Sequence, residues 1–257
     1  MSNGKQTYIR LLLEMLPSTN HERLIWYLSK RGIENPEEII HKYQLKYIPP
    51  SLKADNIVHL WKLLFGIEPK EGLIYPVIDK TNSRYSFIYR TFSETEDYKY
   101  LISPGGLVYD YIPTFLYEHR LLFVTEGLFD MLLMRENIQV NAVAIMGVSN
   151  ISIVERLFGE FVEIVLALDN DEAGIAAAIK AYTLLKKRKV TPRVGWLIYD
   201  SKDPAEAVAT GELTKTNIAN HILWGNAIEQ FIAAKHYDLL VNPISRYGLI
   251  RNSQWGY

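Results

Sequence analysis

Apolar positions change their rhythm twice along the chain. Over residues 7–16, Tyr8, Ile9, Leu11, Leu12, Leu13, Met15 and Leu16 recur at helical spacing until Pro17 stops them. Ser18-Thr19-Asn20 offers an N-cap for a second helix that carries Leu24, Ile25, Tyr27 and Leu28 and ends at Gly32. Asn35-Pro36-Glu37-Glu38 opens a third helix with proline in its first position, and Pro49-Pro50 marks a break. From Gly72 the pattern becomes that of strands. Leu73 to Ile78 and Tyr85 to Arg90, joined by a turn at Asp79-Lys80-Thr81-Asn82, read as an antiparallel pair, with Pro76 implying an edge or a bulge. Ser103-Pro104-Gly105-Gly106 reads as a loop.

Beyond residue 120 short apolar strands alternate with helices. The strands are Leu121 to Val124, Ala142 to Met146, Ile164 to Leu168 and Arg193 to Ile198. The helices are Gly127 to Arg135, Ile153 to Phe158 and about Ala173 to Lys187. This alternation predicts a parallel sheet covered by helices on both faces. Ala227-Ile228, Phe231-Ile232 and Leu239-Leu240 suggest one or two further helices, and residues 242–257 read as poorly ordered.

Ligands of such sheets gather beyond the carboxyl ends of the strands, and there this chain places acidic residues. Asp169-Asn170-Asp171 follows the third strand, Glu126-Gly127-Leu128-Phe129-Asp130 the first, and Lys202-Asp203-Pro204-Ala205-Glu206 the fourth. Each has a simpler reading as a helix start. An Asx cap would account for the Asp169–Asp171 pair, a solvated first turn for Asp130, and an Asp203 N-cap with Pro204 and Glu206 behind it for the last. Together they are harder to dismiss, because like charges at one sheet edge repel unless a cation sits among them. Oxygen-only ligands suit Mg²⁺, and carboxylate-bound metals recur in phosphoryl transfer.

Composition narrows the picture. The chain has 257 residues, a net charge of −1 and no cysteine, so Cys-ligated zinc and disulfides are excluded and bulk charge does not favour nucleic acid. Six histidines show no paired ligand spacing. No apolar run reaches the roughly 18 residues of a membrane span, and the polar start is no signal peptide. A cytoplasmic protein without membrane contact is expected. Lys186-Lys187-Arg188-Lys189 reads as a helix end whose cations complement the dipole, or else as a backbone-binding patch. Tyr98, Tyr100, Tyr109 and Tyr111 serve either as core residues or as platforms for single-stranded bases.

The ordered set EGxxD (Glu126–Asp130), DxDxAG (Asp169–Gly174) and KDPxE (Lys202–Glu206) resembles the TOPRIM signature, and most closely that of bacterial DnaG-type primases. Asn141 to Gly147 is similar to the family's second strand and the glycine after it. Upstream, Tyr27-Leu28-Ser29-Lys30-Arg31-Gly32-Ile33, Tyr75 to Asp79, Tyr89-Arg90 and Tyr98 to Pro104 resemble its YLxxRGI, PI-D, GGR and KYLNSP elements. The likeness covers roughly residues 24–210. It implies an α/β fold, with a TOPRIM-type parallel sheet flanked by helices and preceded by a smaller α+β primase-like subdomain. The organisation expected is a helical segment 1–66, an antiparallel subdomain 67–118, a TOPRIM domain 119–210 and a short helical tail 211–257.

The resemblance also implies roles. Glu126, Asp169 and Asp171 would be catalytic. With Asp130 and Asp203 they would hold two or more Mg²⁺ or Mn²⁺ ions, and no zinc. Arg84, Arg90, Lys99, Tyr100 and Lys202 would meet nucleic acid or nucleotide. The activity implied is synthesis of short RNA primers from ribonucleoside triphosphates on single-stranded DNA. Expected partners are a helicase, a single-strand-binding protein or a template-recognition protein, and a phage or mobile element is the expected setting. A TOPRIM nuclease and a non-catalytic nucleic-acid-binding replication regulator are the alternatives. Ala205 stands where the family has Asp, and Ile102 where it has Asn; a zinc-binding and a helicase-binding domain are not expected in this chain.

Overall fold

A computed structural model describes residues 3–16, 21–50, 54–79, 84–93, 95, 98–104, 121–155, 157, 163–187 and 193–235. The chain divides into two compact units, residues 1–113 and 114–257.

The first unit packs helices against an antiparallel sheet. Helices α1 (Asn3–Met15), α2 (Glu22–Lys30) and α3 (Pro36–Lys42) occupy the stretches expected of them. The cap of α2 is a correction: His21, not Ser18-Thr19-Asn20, precedes the helix, and its imidazole accepts from the Arg23 amide. Strand β1 (Lys46–Ile48) and helix α4 (Asp55–Phe65) were not anticipated. β1 is too short to show a period. The α4 signal was legible, since Ile57, Leu60, Trp61 and Leu64 recur at helical spacing and Gly66 closes the helix in the left-handed conformation.

Strands β2 (Gly72–Asp79), β3 (Arg84–Thr91) and β4 (Tyr100–Ile102) complete a sheet of order β1-β2-β3-β4. Pro76 lies in an inner strand, yet β1 pairs only with Gly72 to Ile74, so at Pro76 the strand is locally an edge and no ladder bond is lost. Ile9, Leu12 and Leu13 of α1, with Leu16 just after it, cluster with Ile57, Leu60, Trp61 and Leu64 of α4 and Ile48, Ile74, Phe87 and Tyr89 of the sheet. Apolar burial of this kind is the main stabilising term.

The second unit contains β5 (Leu121–Thr125), α5 (Leu128–Leu133), β6 (Asn141–Ala144), β7 (Glu163–Ala167), α6 (Glu172–Lys187), β8 (Arg193–Leu197), α7 (Pro204–Ala209), β9 (Ile222–Trp224) and α8 (Asn226–Lys235). The sheet order is β6-β5-β7-β8-β9, the first four strands parallel and β9 antiparallel. This is the α/β sheet expected, with three corrections. β6 stops at Ala144 because Met146 and Gly147 turn the chain through positive φ. The helix expected at Ile153 is a 3-10 segment, Val148–Glu155, anchored by Asn150, whose side chain donates to the carbonyls of Ile145 and Met146. The segment after residue 210 is not only a helical tail, because β9 adds an edge strand beside β8. Residues 80–83, 105–120, 188–189 and 236–257 lie outside the description, and with them part of the β2–β3 turn, Gly105-Gly106, Tyr109, Tyr111, Arg188, Lys189, Leu239-Leu240 and the ordering expected of 242–257. Among the described residues no helix is long and apolar enough to cross a membrane.

The β5→β6 connection adds a neighbour on one side of β5, while β7 and β8 extend the sheet on the other. The strand order therefore reverses between β5 and β7, and at such a switch point the two following loops diverge and leave a crevice.

Gly72 marks where the first unit tolerates least change. A Cβ there would stand 2.4 Å from the Arg90 carbonyl oxygen and 2.5 Å from the Tyr89 ring. Gly72→Ala is expected to cost about 1–3 kcal/mol through forced strand separation. The check is a lowered urea midpoint in the transition reported by Trp61 fluorescence; an unchanged midpoint would show the pairing to be looser than described.

Candidate active site

The acidic residues follow the strands that flank the switch point. Thr125 of β5 is in register with Ala167 of β7, so Glu126 and Asp169 emerge one and two residues beyond neighbouring strand ends. Asp130 lies one helical turn into α5 and is buried. Its Oδ2 accepts from the Gly127 amide at 3.0 Å and its Oδ1 from the Ala205 amide at 3.2 Å, which pins the first turn of α7 to α5. Gly127 leaves room for this, since a Cβ there would sit 2.7 Å from Asp130 Oδ2.

In the other two clusters the simpler reading is observed, since both aspartates accept first-turn amides. Asp171 Oδ1 accepts from the Gly174 amide at 2.8 Å in the first turn of α6. Asp203 is the N-cap of α7, its Oδ1 accepting from the Glu206 amide at 2.8 Å, while Glu206 Oε2 accepts from the Lys202 amide at 2.8 Å. Each cap commits one carboxylate oxygen and fixes the residue's place at the sheet edge. Gly174 is needed for another reason: a Cβ there would lie 2.1 Å from the Asp169 carbonyl oxygen, so only glycine lets α6 start against this loop.

Asp169 differs from the rest. Its Oδ1 is buried and has no hydrogen-bond partner among the described residues. Burial, then Asp203 and Asp171, pushes its carboxyl up to about 6, with Lys202 pulling the other way. Glu126 is pushed up to about 7 by burial and then by Asp169, Asp171 and Asp130. Asp130 reaches about 7 through burial, Asp169 and Asp203, against the two amides it accepts from. These shared effects show the carboxylates to be electrostatic neighbours.

They do not form a finished cage. Among the described residues no three acidic or histidine side chains stand together closely enough to enclose one ion as they are. Repulsion between carboxylates opposes closer approach until a cation is present, and the caps already hold Asp171 and Asp203. The donor set still suits a hard divalent cation: the donors are oxygen only, carry several negative charges, and include one buried oxygen that lacks a partner. Asp169, Asp171 and Glu126 are the residues able to turn toward such an ion, with Asp203 next to them. Asp130 has both oxygens engaged.

The cationic candidates fall in different places. Lys202 is exposed beside the acidic edge. Arg84 opens β3 opposite Asp79, and its side chain lies outside the description. Lys99 is exposed. Arg90 is not a solvated strand-face charge, being only 6 % exposed. Its Nε donates to the Tyr27 hydroxyl at 3.0 Å, and its guanidinium stands 4.7 Å from the centre of the Tyr100 ring. Arg31 also donates to the Tyr27 hydroxyl, at 3.1 Å, and Tyr27 stacks on Phe92. Tyr27 and Arg31 were quoted in the sequence only as part of a motif; their spacing of four on α2, facing a strand arginine, is what could have marked them as partners of Arg90. Lys186 pairs with Glu229 of α8, which favours the helix-end reading of that basic run.

The parallel sheet with acidic residues at its switch point defines a class. Residues 123–208 match the family described as Toprim-like. Over nearly its whole length the chain has the fold of a DnaG-type primase catalytic core. It is similar to a structure of the DnaG catalytic core (TM-score 0.66, 20% identity, 91% of this chain and 84% of that one) and to a DNA primase domain from Pseudomonas aeruginosa (TM-score 0.64, 22% identity, 91% and 83%). Among curated proteins it is similar to the DNA primase of Campylobacter jejuni, at 24% identity over 250 residues, and to that of Helicobacter pylori strain 26695, at 28% over 274 residues. These alignments take in 82% and 91% of this chain but 40% and 47% of the relatives, so the chain spans less than half the length of either.

Electrostatic crowding has a consequence for stability. A carboxyl whose pKa is raised in the folded state favours folding below its ordinary value, near 4, and loses that contribution as pH rises through its folded value, here about 6 for Asp169. Without metal, Asp169→Asn is therefore expected to match the native chain near pH 3.5, below both values, and to exceed it at pH 8. The gain, discounted for solvent screening, is about 1 kcal/mol, or a melting temperature about 2–4 °C higher. Calorimetric scans at the two pH values check this; a variant no more stable at pH 8 would mean that the carboxylates do not crowd one another.

Proposed function

We propose that this chain is the catalytic core of a DNA primase, joining ribonucleotides into short primers on a single-stranded DNA template. The observation that carries the reading is Asp169, with a buried and unpartnered oxygen, set among mutually perturbed carboxylates at the switch point of a Toprim-like sheet. Two further facts support it. The alignment with proteins called DNA primases runs through both units of the chain, not only the Toprim-like part. The chain also shares its fold with a DnaG primase catalytic domain bound to single-stranded DNA (TM-score 0.61, 19% identity, 90% of this chain and 84% of that one).

In this reading Asp169 and Asp171 hold Mg²⁺ or Mn²⁺, with Glu126 beside them and Asp203 serving a neighbouring ion. Divalent ions bound there supply the positive charge that a 3′-hydroxyl needs to approach a triphosphate and that pyrophosphate needs to depart. Glu126, raised to about 7, is the carboxylate able to accept the hydroxyl proton near neutral pH. Asp130 touches neither substrate nor ion; it keeps α5 and α7 together and so fixes where Glu126 and Asp203 stand. Because position 205 carries no carboxylate and its amide is committed to Asp130, a neighbouring ion would draw on Asp203 and receive nothing from position 205.

Lys202 meets the triphosphate. Arg84 and Lys99 grip backbone phosphates by charge, and Tyr100, braced by Arg90, offers a face to a base. With a net charge of −1, template binding is weak and salt-sensitive. A helicase, a single-strand-binding protein or a template-recognition protein would deliver the template, in the cytoplasm.

Incubation with end-labelled single-stranded DNA of varied sequence, the four ribonucleoside triphosphates and Mn²⁺ tests the reading. Short new products are expected, and the Asp169→Asn/Asp171→Asn double variant should lower their yield at least about 100-fold. Shortened template in place of new product would make the chain a nuclease. Ion binding without any synthesis under these conditions would make it a non-catalytic relative.

A further inference from the structure

The loops that follow β7 and β8 carry like charges and share no sheet hydrogen bonds where those charges lie. The last β7–β8 register pair is Leu166 with Trp196, whereas the acidic residues stand at 169, 171 and 203. Nothing in the ladder itself keeps these loops side by side, and repulsion between their carboxylates pushes them apart.

Side chains do what the ladder does not. The buried Tyr199, two residues beyond β8, donates its phenol hydrogen to the carbonyl of Leu168, the residue immediately before Asp169. In the opposite direction the Asn170 side-chain amide donates to the carbonyls of Tyr199 at 3.1 Å and Ser201 at 3.3 Å. The Asn170 backbone amide donates to the Lys202 carbonyl at 2.7 Å, one residue before Asp203. Behind this, Glu212 accepts from the amides of Asp200 and Ser201 and from the Ser201 hydroxyl, so the β8 loop is held from its other side as well. Four donations cross between the loops, and each lands within two residues of Asp169 or Asp203 or on the segment joining Tyr199 to Asp203.

We infer that Asn170 and Tyr199 are positioning residues, a reciprocal staple that sets the spacing between the Asp169–Asp171 loop and the Asp203 loop, and with it the affinity of the acidic edge for its divalent ion. The inference rests on the primase reading only for the identity of the reaction; the effect on the ion is independent of what is synthesised. Neither residue touches ion or substrate. Both act through backbone: Tyr199 through the carbonyl that precedes Asp169, Asn170 through the segment that leads to Asp203. The acidic pattern DxDxAG leaves Asn170 at an unspecified position, and Tyr199 lies outside every motif, so neither is demanded by the signature.

The test is Mn²⁺ binding by isothermal titration calorimetry on the whole chain, with Mn²⁺-dependent primer synthesis measured in parallel. Tyr199→Phe keeps the buried ring and removes only the donor. Asn170→Ala, at an exposed position, removes two donations and leaves the backbone one. Each is expected to weaken Mn²⁺ binding about tenfold, the scale seen when groups that orient metal ligands are lost. The Mn²⁺ concentration for half-maximal synthesis should rise by the same factor, with the rate at saturating Mn²⁺ within about twofold of the native chain. Asn170→Asp, of the same shape but unable to donate, should weaken binding at least as much as Asn170→Ala. Ile164→Val, in the core at the far end of β7, controls for lost stability and should leave Mn²⁺ affinity unchanged.

Tyr199→Phe and Asn170→Ala proteins that bind Mn²⁺ like the native chain, whatever their melting temperatures, would overturn the inference. A native chain that binds Mn²⁺ with the expected differences among variants but makes no primers would sustain the staple and end the primase reading. A native chain that binds no Mn²⁺ would end both.

Discussion

Like charge gathered at the carboxyl edge of a parallel sheet is the constraint on which the second unit turns. Parallel strands carry successive loops to the same edge, and at the switch point between β5 and β7 those loops bring acidic side chains near one another in partly buried surroundings. Such an arrangement opposes folding in the absence of a cation. It persists because the backbone around it is held by many separate bonds: Asp130 across α5 and α7, the caps at Asp171 and Asp203, and the crossing donations of Asn170 and Tyr199.

Capping and catalysis are usually weighed as rival explanations for an acidic residue at a helix start. The geometry here leaves room for both. A carboxylate that accepts a first-turn amide is fixed in place and favoured by the helix dipole, and its second oxygen stays available for a ligand. Asp171 and Asp203 are of this kind, whereas Asp169 caps nothing and keeps a buried oxygen without a partner. Four carboxylates in similar sequence surroundings thus stand in three different ways: Asp130 clasps two helices, Asp171 and Asp203 cap, and Asp169 keeps a buried oxygen without a partner among the described residues.

The first unit shows the same economy with positive charge. Arg90 reads in the sequence as an exposed strand-face cation, but its guanidinium lies against Tyr27 and Tyr100 and is largely covered. A planar cation of this kind suits aromatic surroundings better than an ammonium would, because it is less strongly hydrated and stacks on rings.

Hydrophobic periodicity determined the parallel β-α alternation after residue 120, the antiparallel pair and the first two helices, because each of those segments is long enough to display its period, while the start signal at Pro36 marked the third helix. The order of the acidic motifs determined that they share one edge of the sheet, since strand–loop–helix succession dictates on which edge of a parallel sheet a loop must lie. Tertiary structure decided the rest. Three-residue strands such as β1 and β9 exist only because a neighbour supplies their hydrogen bonds, and no local pattern announces them. Whether an aspartate clasps, caps or waits for an ion depends on which amide reaches it, and the amide at Asp130 comes from 75 residues away. That Asn170 and Tyr199 bind each other's loops was invisible in the chain, because neither residue belongs to a motif and their meeting is set by the spacing of two strands.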